Sequence, residues 1–363
     1  MNTILKNLSK EYSIFLAIFT FVLIGYFEHS LVQTTIGNIF GFTVLFGVII
    51  YSSMNVAHHA EMLAEKFGEP YGTLILTISA VVVEIIIIVI MMMHSHNPTL
   101  ARDTIYSALM LDINALLGLS AIIGGIKYGE QPYNVDSSNS YISMILVAVG
   151  LAMVLPHFLP DRLDGIFSIF TIILFIFLYL VFTRIQVKSH SYFFKYIENK
   201  ETEQSKTHHN RDDINGYYHG FNLVLSIALI GALAEILSIF MNNNLSHFGL
   251  PLSIGAVGVA LISASPEFIV AIRAALDNKM QTVINIALGA SLATVLLTIP
   301  AVILIGKIIG GMNIELALTP AQSFMITLTL LVSMVNFNDG ETNVLEGFLH
   351  IVLFVMFTFL LFV

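Results

Sequence analysis

Five acidic side chains stand inside long apolar runs: Glu84, Asp112, Glu235, Glu267 and Glu346. An ionisable group at the centre of a membrane-crossing helix costs about 2.5–3.5 kcal/mol on insertion scales, so it marks a functional position by default. Glu84 and Asp112 lie nearest the centres of their runs, and Glu267 sits toward one end of a longer run. No Lys or Arg occupies the matching depth to pair with them. A protonated carboxyl bonded to backbone is the competing reading, with most force for Asp112, Glu235 and Glu346 and least for Glu84 and Glu267.

The neighbours of Glu267 are oxygen-rich. Ser263 lies four residues earlier on the same helical face, and Ser265 is close by. Pro266 has no N–H and its ring displaces the carbonyl of Ile262, which frees that oxygen. Irregular backbone at membrane depth is tolerated where it lines a cavity. Hard cations want such ligands, and calcium takes roughly 6–8 oxygens. Around Glu84 the corresponding residues are Thr77, Ser79 and Ala80, a poorer set. The candidate cation ligands are therefore Glu84, Glu267, Ser263, Ser265, Thr77, Ser79 and Asp112, with Glu84 and Glu267 also carrying protons. Two carboxylates facing each other in a dry cavity cannot both stay ionised, so at least one keeps a proton. A cation that neutralises them displaces protons, and returning protons expel the cation.

The elements that must hold these residues are membrane helices. Only 11% of the 363 residues are charged against 56% hydrophobic, and the mean hydropathy is +0.86. A soluble domain carries roughly 25% charged residues, so an ordinary cytosolic enzyme is excluded. The chain is too apolar to stay disordered in water. Without Cys there are no disulfides, thiolate zinc sites or iron–sulfur clusters, and the net charge of −9 leaves no basic surplus for nucleic acid.

Apolar runs of about 17–25 residues can cross a bilayer as helices. Eleven are read here: 12–27, 37–64, 70–93, 102–125, 140–158, 165–186, 219–242, 249–276, 281–309, 319–335 and 343–362. The runs are continuous and lack the alternation of a membrane barrel. The first follows Lys6 and Lys10 but has no small-residue cleavage pattern after it, so it reads as an uncleaved anchor. An N-terminus inside places 12 of the 15 Lys and Arg on the cytoplasmic side and leaves Arg102, Arg162 and Lys307 outside. The positive-inside rule selects that orientation, with Val363 outside.

The long hydrophilic stretch 187–218 mixes Lys, Arg, Asp and Glu and reads as a cytoplasmic linker. Five runs then lie on each side of it once the first is set apart, as an inverted repeat requires. The divisions are an anchor over 1–36, a first five-helix repeat over 37–186, the linker over 187–218 and a second repeat over 219–363. Thr77-Ile78-Ser79 before Glu84 parallels Leu261-Ile262-Ser263 before Glu267, an offset of 183 (267 − 84). In the next run Asp112-Ile113 parallels Ser291-Leu292, an offset of 179 (291 − 112). The fold class is an all-α polytopic membrane protein, one N-terminal helix plus two inverted five-helix repeats.

The histidines say less. His58 and His59 are adjacent and point apart, so His58-His59-Ala60-Glu61 does not make a zinc motif of the HExxH kind. His94 and His96 fall at the end of the third run, as wetted boundary residues do. His157 and His350 are either proton relays or satisfied structural histidines. An intramembrane hydrolase lacks a serine–histidine pair or a metal motif, so no enzyme is expected.

The run Gly68-Glu69-Pro70-Tyr71-Gly72-Thr73-Leu74-Ile75-Leu76-Thr77, leading to Glu84, resembles the first alpha-repeat of the calcium/proton antiporters, in the cation/calcium exchanger superfamily. Ser265-Pro266-Glu267 followed by Asp277-Asn278-Lys279 resembles the second alpha-repeat. Arg184 through Phe194 is similar to the segment leaving the sixth helix, and Thr342-Asn343-Val344-Leu345-Glu346-Gly347 to the start of the last. The resemblance runs from about residue 40 to the end. It is nearest the bacterial branch described as calcium/proton and sodium-potassium/proton antiporters.

It implies that Glu84 and Glu267 bind the ion and the proton. It also shows a departure: the family's Gly-Asn pair ahead of each glutamate is replaced by Ala80-Val81 and Ser263-Ala264. Both asparagine oxygens are missing, which leaves a site that either favours sodium or potassium or holds calcium through carbonyls and water. The resulting expectation is an antiporter in the inner membrane of a cell, surrounded by lipid, with no cofactor and no nucleic-acid partner. It exchanges calcium first, sodium or potassium second, for protons. A sodium-potassium/proton antiporter with little calcium activity is the alternative, and a cation channel built from the same acids is the reading of a different class.

Overall fold

The computed structural model describes residues 11–68, 71–95, 97–189, 214–309 and 314–362. The central part of the linker, 190–213, lies outside the described residues, as do His96, Lys6 and Lys10. Eleven helical segments follow one another: α1 Tyr12–Val32, α2 Thr35–Phe67, α3 Tyr71–Ser95, α4 Leu100–Tyr128, α5 Val135–Val149 and α6 Asp164–Arg184, then α7 Gly216–Phe248, α8 Leu252–Leu276, α9 from Met280, α10 Pro320–Asn336 and α11 Val344–Leu360. Among the described residues nine are long and apolar enough to cross a membrane, and α10 and α11 add two of 17 residues. At about 1.5 Å per residue, 17 residues come near the ~30 Å hydrocarbon core. The protein is a polytopic membrane protein, and the eleven runs read from hydropathy coincide with its helices.

Polar caps fix where the helices begin. Thr34 accepts from the Gly37 N–H, Asn215 from Tyr218 and Asn343 from Glu346. Thr319 and Gln322 form a reciprocal capping box ahead of α10, which satisfies two N–H groups that the helix leaves unpaired. Gly249, at φ 61°, ends α7 in a left-handed conformation that a side chain would resist. α6 continues as a wider turn to Ser189 and α7 starts at Gly216, so both ends of the 187–218 stretch are helical.

Two compact units share the chain, Met1–Asn97 with His208–Pro266 and Pro98–Thr207 with Glu267–Val363. Each therefore takes helices from both sides of the linker. In the first unit α2 packs against α1, α3 and α7, and α3 also packs against α7. A Cβ on Gly72 would lie 2.8 Å from the Ala64 carbonyl oxygen, so α3 starts with its backbone against α2.

In the second unit α4 and α9 are the central helices: 78% of the apolar window of α4 is buried and 67% of that of α9, against 22% for α6. Both change winding midway. Leu111–Leu116 in α4 and Thr294–Thr298 in α9 are π-helical, an uncommon winding that recurs at functional sites. At one end of this unit a two-residue ribbon pairs Gln131 with Thr342 and Pro132 with Glu341.

The π turns also bear on the repeat. Leu111 and Thr294 are 183 residues apart (294 − 111), the same offset as the two glutamates. The offset of 179 read from the apolar pattern differs by four residues, close to the 3.6 residues of one helical turn. A slip of that size keeps nearly the same residues on the same face, so hydropathy alone does not separate the two registers.

Candidate functional site

In the first unit, Glu84 is only 4% exposed, near the middle of α3. Ser79, one turn and a half before it, donates its hydroxyl to the Ile75 carbonyl at 2.7 Å. Thr77 is half-buried and Ala80 exposed. Across α8 the same habit recurs. Ser263 donates to the Ala260 carbonyl at 3.0 Å, and Ser265 donates to that of Leu261. A serine hydroxyl that gives its hydrogen to its own helix keeps lone pairs on oxygen. These three oxygens are held in place and remain capable of facing a cation.

The helix runs unbroken through Pro266, which deprives the Ile262 carbonyl of its usual donor. Glu267 is half-buried and is the first residue of the second unit. Among the described residues no group of three or more His, Cys, Asp and Glu is arranged to hold a metal ion.

In the second unit the π turn of α4 carries Asp112, 3% exposed, and Asn114, fully buried. Ser291 of α9 donates to Asp112 Oδ2 at 3.3 Å. Asn114 Nδ2 donates to Thr329 Oγ1 of α10 at 3.0 Å, and its Oδ1 lies 3.1 Å from His350 Nδ1 of α11. The π turn therefore touches three other helices through polar side chains. Reading along the chain singles out Asp112, Asn114 and His350 but does not join them to one another or to Thr329. Their separations of 215 and 236 residues leave no local signal.

The remaining intramembrane acids differ. Glu235 is exposed and lies 3.7 Å from His94 Nε2, so it is a surface residue beside a histidine. Glu346 sits in the first turn of α11, where Asn343 Nδ2 donates to its Oε1 at 2.6 Å. At the other end of the same unit Arg102 Nε meets Asp103 Oδ1 at 2.9 Å and Arg102 Nη1 lies 3.6 Å from Glu315. At the ribbon, the hydrogen bond to Glu130 and its nearby charge raise the Glu341 carboxyl above its ordinary value.

A polar cluster at one end of the first unit also escaped the sequence reading. Glu11, just before α1, accepts from the Tyr218 hydroxyl of α7, lies 3.3 Å from His59 Nε2 and accepts from Asn55 Nδ2 at 3.4 Å. His59 Nδ1 in turn lies 3.0 Å from His219 Nδ1. Burial by itself pushes the Glu11 carboxyl up. The Tyr218 hydrogen bond, the His59 charge and the bonds from Asn55 and His59 outweigh burial and leave it below its ordinary value.

Comparison with known proteins gives these helices a context. The family described as sodium/calcium exchanger protein matches residues 37–188 and 219–363. A putative ionic transporter, y4hA, from Sinorhizobium fredii is 31% identical over 84% of this chain and 83% of its own length. The sodium-potassium/proton antiporter ChaA of Escherichia coli is 29% identical over 86% of each chain. The Ca(2+)/H(+) antiporter ChaA of Bacillus subtilis is 25% identical over 63% of this chain and 66% of its own. The solved structure of native YfkE superposes with a TM-score of 0.75 at 19% identity, covering 96% of this chain and 99% of that one, which shows the same fold. These relatives are transporters and antiporters, not enzymes.

Proposed function

Because this chain belongs to the sodium/calcium exchanger protein family, we propose that it is a secondary antiporter exchanging an inorganic cation for protons across a cell membrane. Calcium is the first cation and sodium or potassium the competitors. Glu84 and Glu267 bind cation and proton in turn, and Thr77, Ser79, Ser263, Ser265 and Asp112 supply further oxygen. The observation that carries this reading is Glu84, a carboxylate buried at the middle of an apolar helix, where an acid is costly unless it is used. The relatives named as calcium/proton and sodium-potassium/proton antiporters support the exchange of a cation for protons.

The mechanism follows from charge. A cation between carboxylates displaces the proton that repulsion had kept there, and alternate opening to each side then gives exchange in place of leak. The chain is read as an anchor over 1–36, a repeat over 37–186, a linker over 187–218 and an inverted repeat over 219–363. Its N-terminus lies in the cytoplasm, its C-terminus outside, and the bilayer is an inner membrane.

A second reading has its own observation. Val81 and Ala264 leave no amide oxygen ahead of either glutamate, and the relative from Escherichia coli is named for sodium and potassium. Proton release from everted vesicles on addition of calcium, sodium or potassium separates the two. Release by calcium at the lowest concentration supports the first reading, and release by sodium and potassium alone supports the second. Conductance without proton movement would make the protein a channel and overturn both.

A further inference from the structure

The imidazole of His350 is 2% exposed, held on α11 between the second half of α4 and α10. It is that deep because α11 and α4 meet backbone to backbone: a Cβ on Gly347 would lie 2.8 Å from the Gly118 oxygen. The Phe337 ring stacks on the imidazole with centroids 5.6 Å apart and planes 11° apart.

The partners of Asn114 assign the histidine's hydrogen. Thr329 Oγ1 points its hydroxyl toward Met110 Sδ at 3.7 Å and accepts from Asn114 Nδ2. Asn114 Oδ1 is thereby the acceptor, and His350 Nδ1–H donates to it. The neutral ring then carries a lone pair on Nε2. That nitrogen is buried and makes no hydrogen bond among the described residues.

One turn earlier on α11, Glu346 Oε1 accepts from Asn343, while Oε2 is buried and makes no hydrogen bond among the described residues. Residues four apart on a helix stand one above the other, with Cβ atoms about 5–6 Å apart. Two buried acceptors with no donor, on successive turns of one face, are costly in place, and a single proton held between them would give each a partner.

We propose that Glu346 and His350 form a proton-transfer pair that serves the exchange from the ribbon end of the second unit. In the inward step the Glu346 carboxyl turns to bring its O–H against His350 Nε2, the O–H bond breaks and an N–H bond forms there, which leaves a carboxylate and an imidazolium. The Nδ1–H stays on Asn114 throughout, and release is the reverse transfer. The imidazolium places a positive charge beside the π turn that carries Asp112, where it opposes a cation. Proton entry and cation exit are coupled in this way in addition to any direct exchange at a shared carboxylate.

The titratable and charged groups on the elements packed against His350 are Asp112 and Tyr106 on α4 with Lys127 at its end, Glu346 on its own helix, and Glu130, Tyr133, Asp339 and Glu341 around the ribbon, Tyr133 lying within reach of the Glu346 charge; α10 carries none. The inference rests on cation/proton exchange itself and not on the roles of Glu84 and Glu267.

The test uses the full chain in proteoliposomes, with cation-driven proton release followed between pH 5.5 and 8.5. His350→Gln keeps a donor for Asn114 and removes the proton acceptor. It should still exchange, about tenfold more slowly at neutral pH, with one titration step missing from the rate profile. Glu346→Gln should show the same defect, and the double variant should be no worse than either single one. A wild-type pH profile in both single variants, or defects that multiply in the double, overturns the proposal. Where His350→Gln does not fold, Glu346→Gln decides alone, a lost titration step supporting the pair and a wild-type profile overturning it. Should Glu84→Gln exchange normally while these variants are impaired, the two-glutamate reading fails and the pair stands.

Discussion

Ser291 of α9 donates a hydrogen bond to Asp112 of α4 across 3.3 Å, between the two helices at the centre of the second unit. Asp112 lies within a π turn, and Ser291 lies three residues before another (294 − 291). A π turn is a rare winding that is frequent at functional sites, and both side chains are buried beside one. Ser291→Ala removes one donor from a buried acid, a loss of about 1–3 kcal/mol. The expected result is a folded protein whose cation concentration for half-maximal proton release rises about tenfold, equivalent to about 1.4 kcal/mol. Unchanged cation dependence would remove Asp112 from the candidate ligands.

Glu84 and Glu267 are tested by charge alone. Glutamine keeps the size and the hydrogen-bonding capacity of glutamate and removes its titration. Glu84→Gln and Glu267→Gln should each insert and fold, with proton release in response to cations falling below detection. Exchange at the wild-type rate in Glu84→Gln would move attention to Asp112.

Selectivity is tested at Val81, which is buried three residues before Glu84. Calcium takes roughly 6–8 oxygen ligands, so a site poor in amide oxygen should hold it weakly and admit sodium. High sodium should inhibit calcium exchange in the wild type, and Val81→Asn should raise apparent calcium affinity relative to sodium. Calcium exchange already micromolar and indifferent to sodium in the wild type would end the ligand-deficit argument.

The Glu11 cluster makes a statement about acid stability. Its carboxyl lies below the ordinary value in the folded chain, so it contributes stability at pH values above the unfolded value, and that contribution is lost as pH falls through the folded value. Thermal unfolding in detergent should show the wild type losing stability as pH drops below the ordinary carboxylate value of 4.5. Glu11→Gln should be less stable at neutral pH and flatter in that window. Parallel curves would mean that Glu11 does not fasten α1 to α2 and α7.

Sidedness is tested with single cysteines, since the chain has none of its own. A cysteine placed within 187–218 should be shielded from impermeant reagents added to intact cells, and one after Phe362 should react. Labelling of the linker from outside would invert every loop assignment.

The sequence by itself determined that this chain is a bundle of eleven membrane helices. Apolar runs of bilayer length leave the backbone no other way to satisfy its hydrogen bonds in lipid. It also shows which acids are costly to place, because the apolar neighbours of Glu84 and Asp112 are visible along the chain. Only the tertiary structure decided that Asp112 meets Ser291, that Asn114 bridges Thr329 and His350, and that Glu11 closes a cluster with His59 and Tyr218. Those partners lie 48 to 236 residues apart, and helix-to-helix packing, not local pattern, brings them within bonding distance. The register of the repeat divides the same way. A four-residue slip is nearly one turn and preserves the apolar face, so hydropathy is indifferent to it, while the backbone alone shows the π turns at Leu111–Leu116 and Thr294–Thr298.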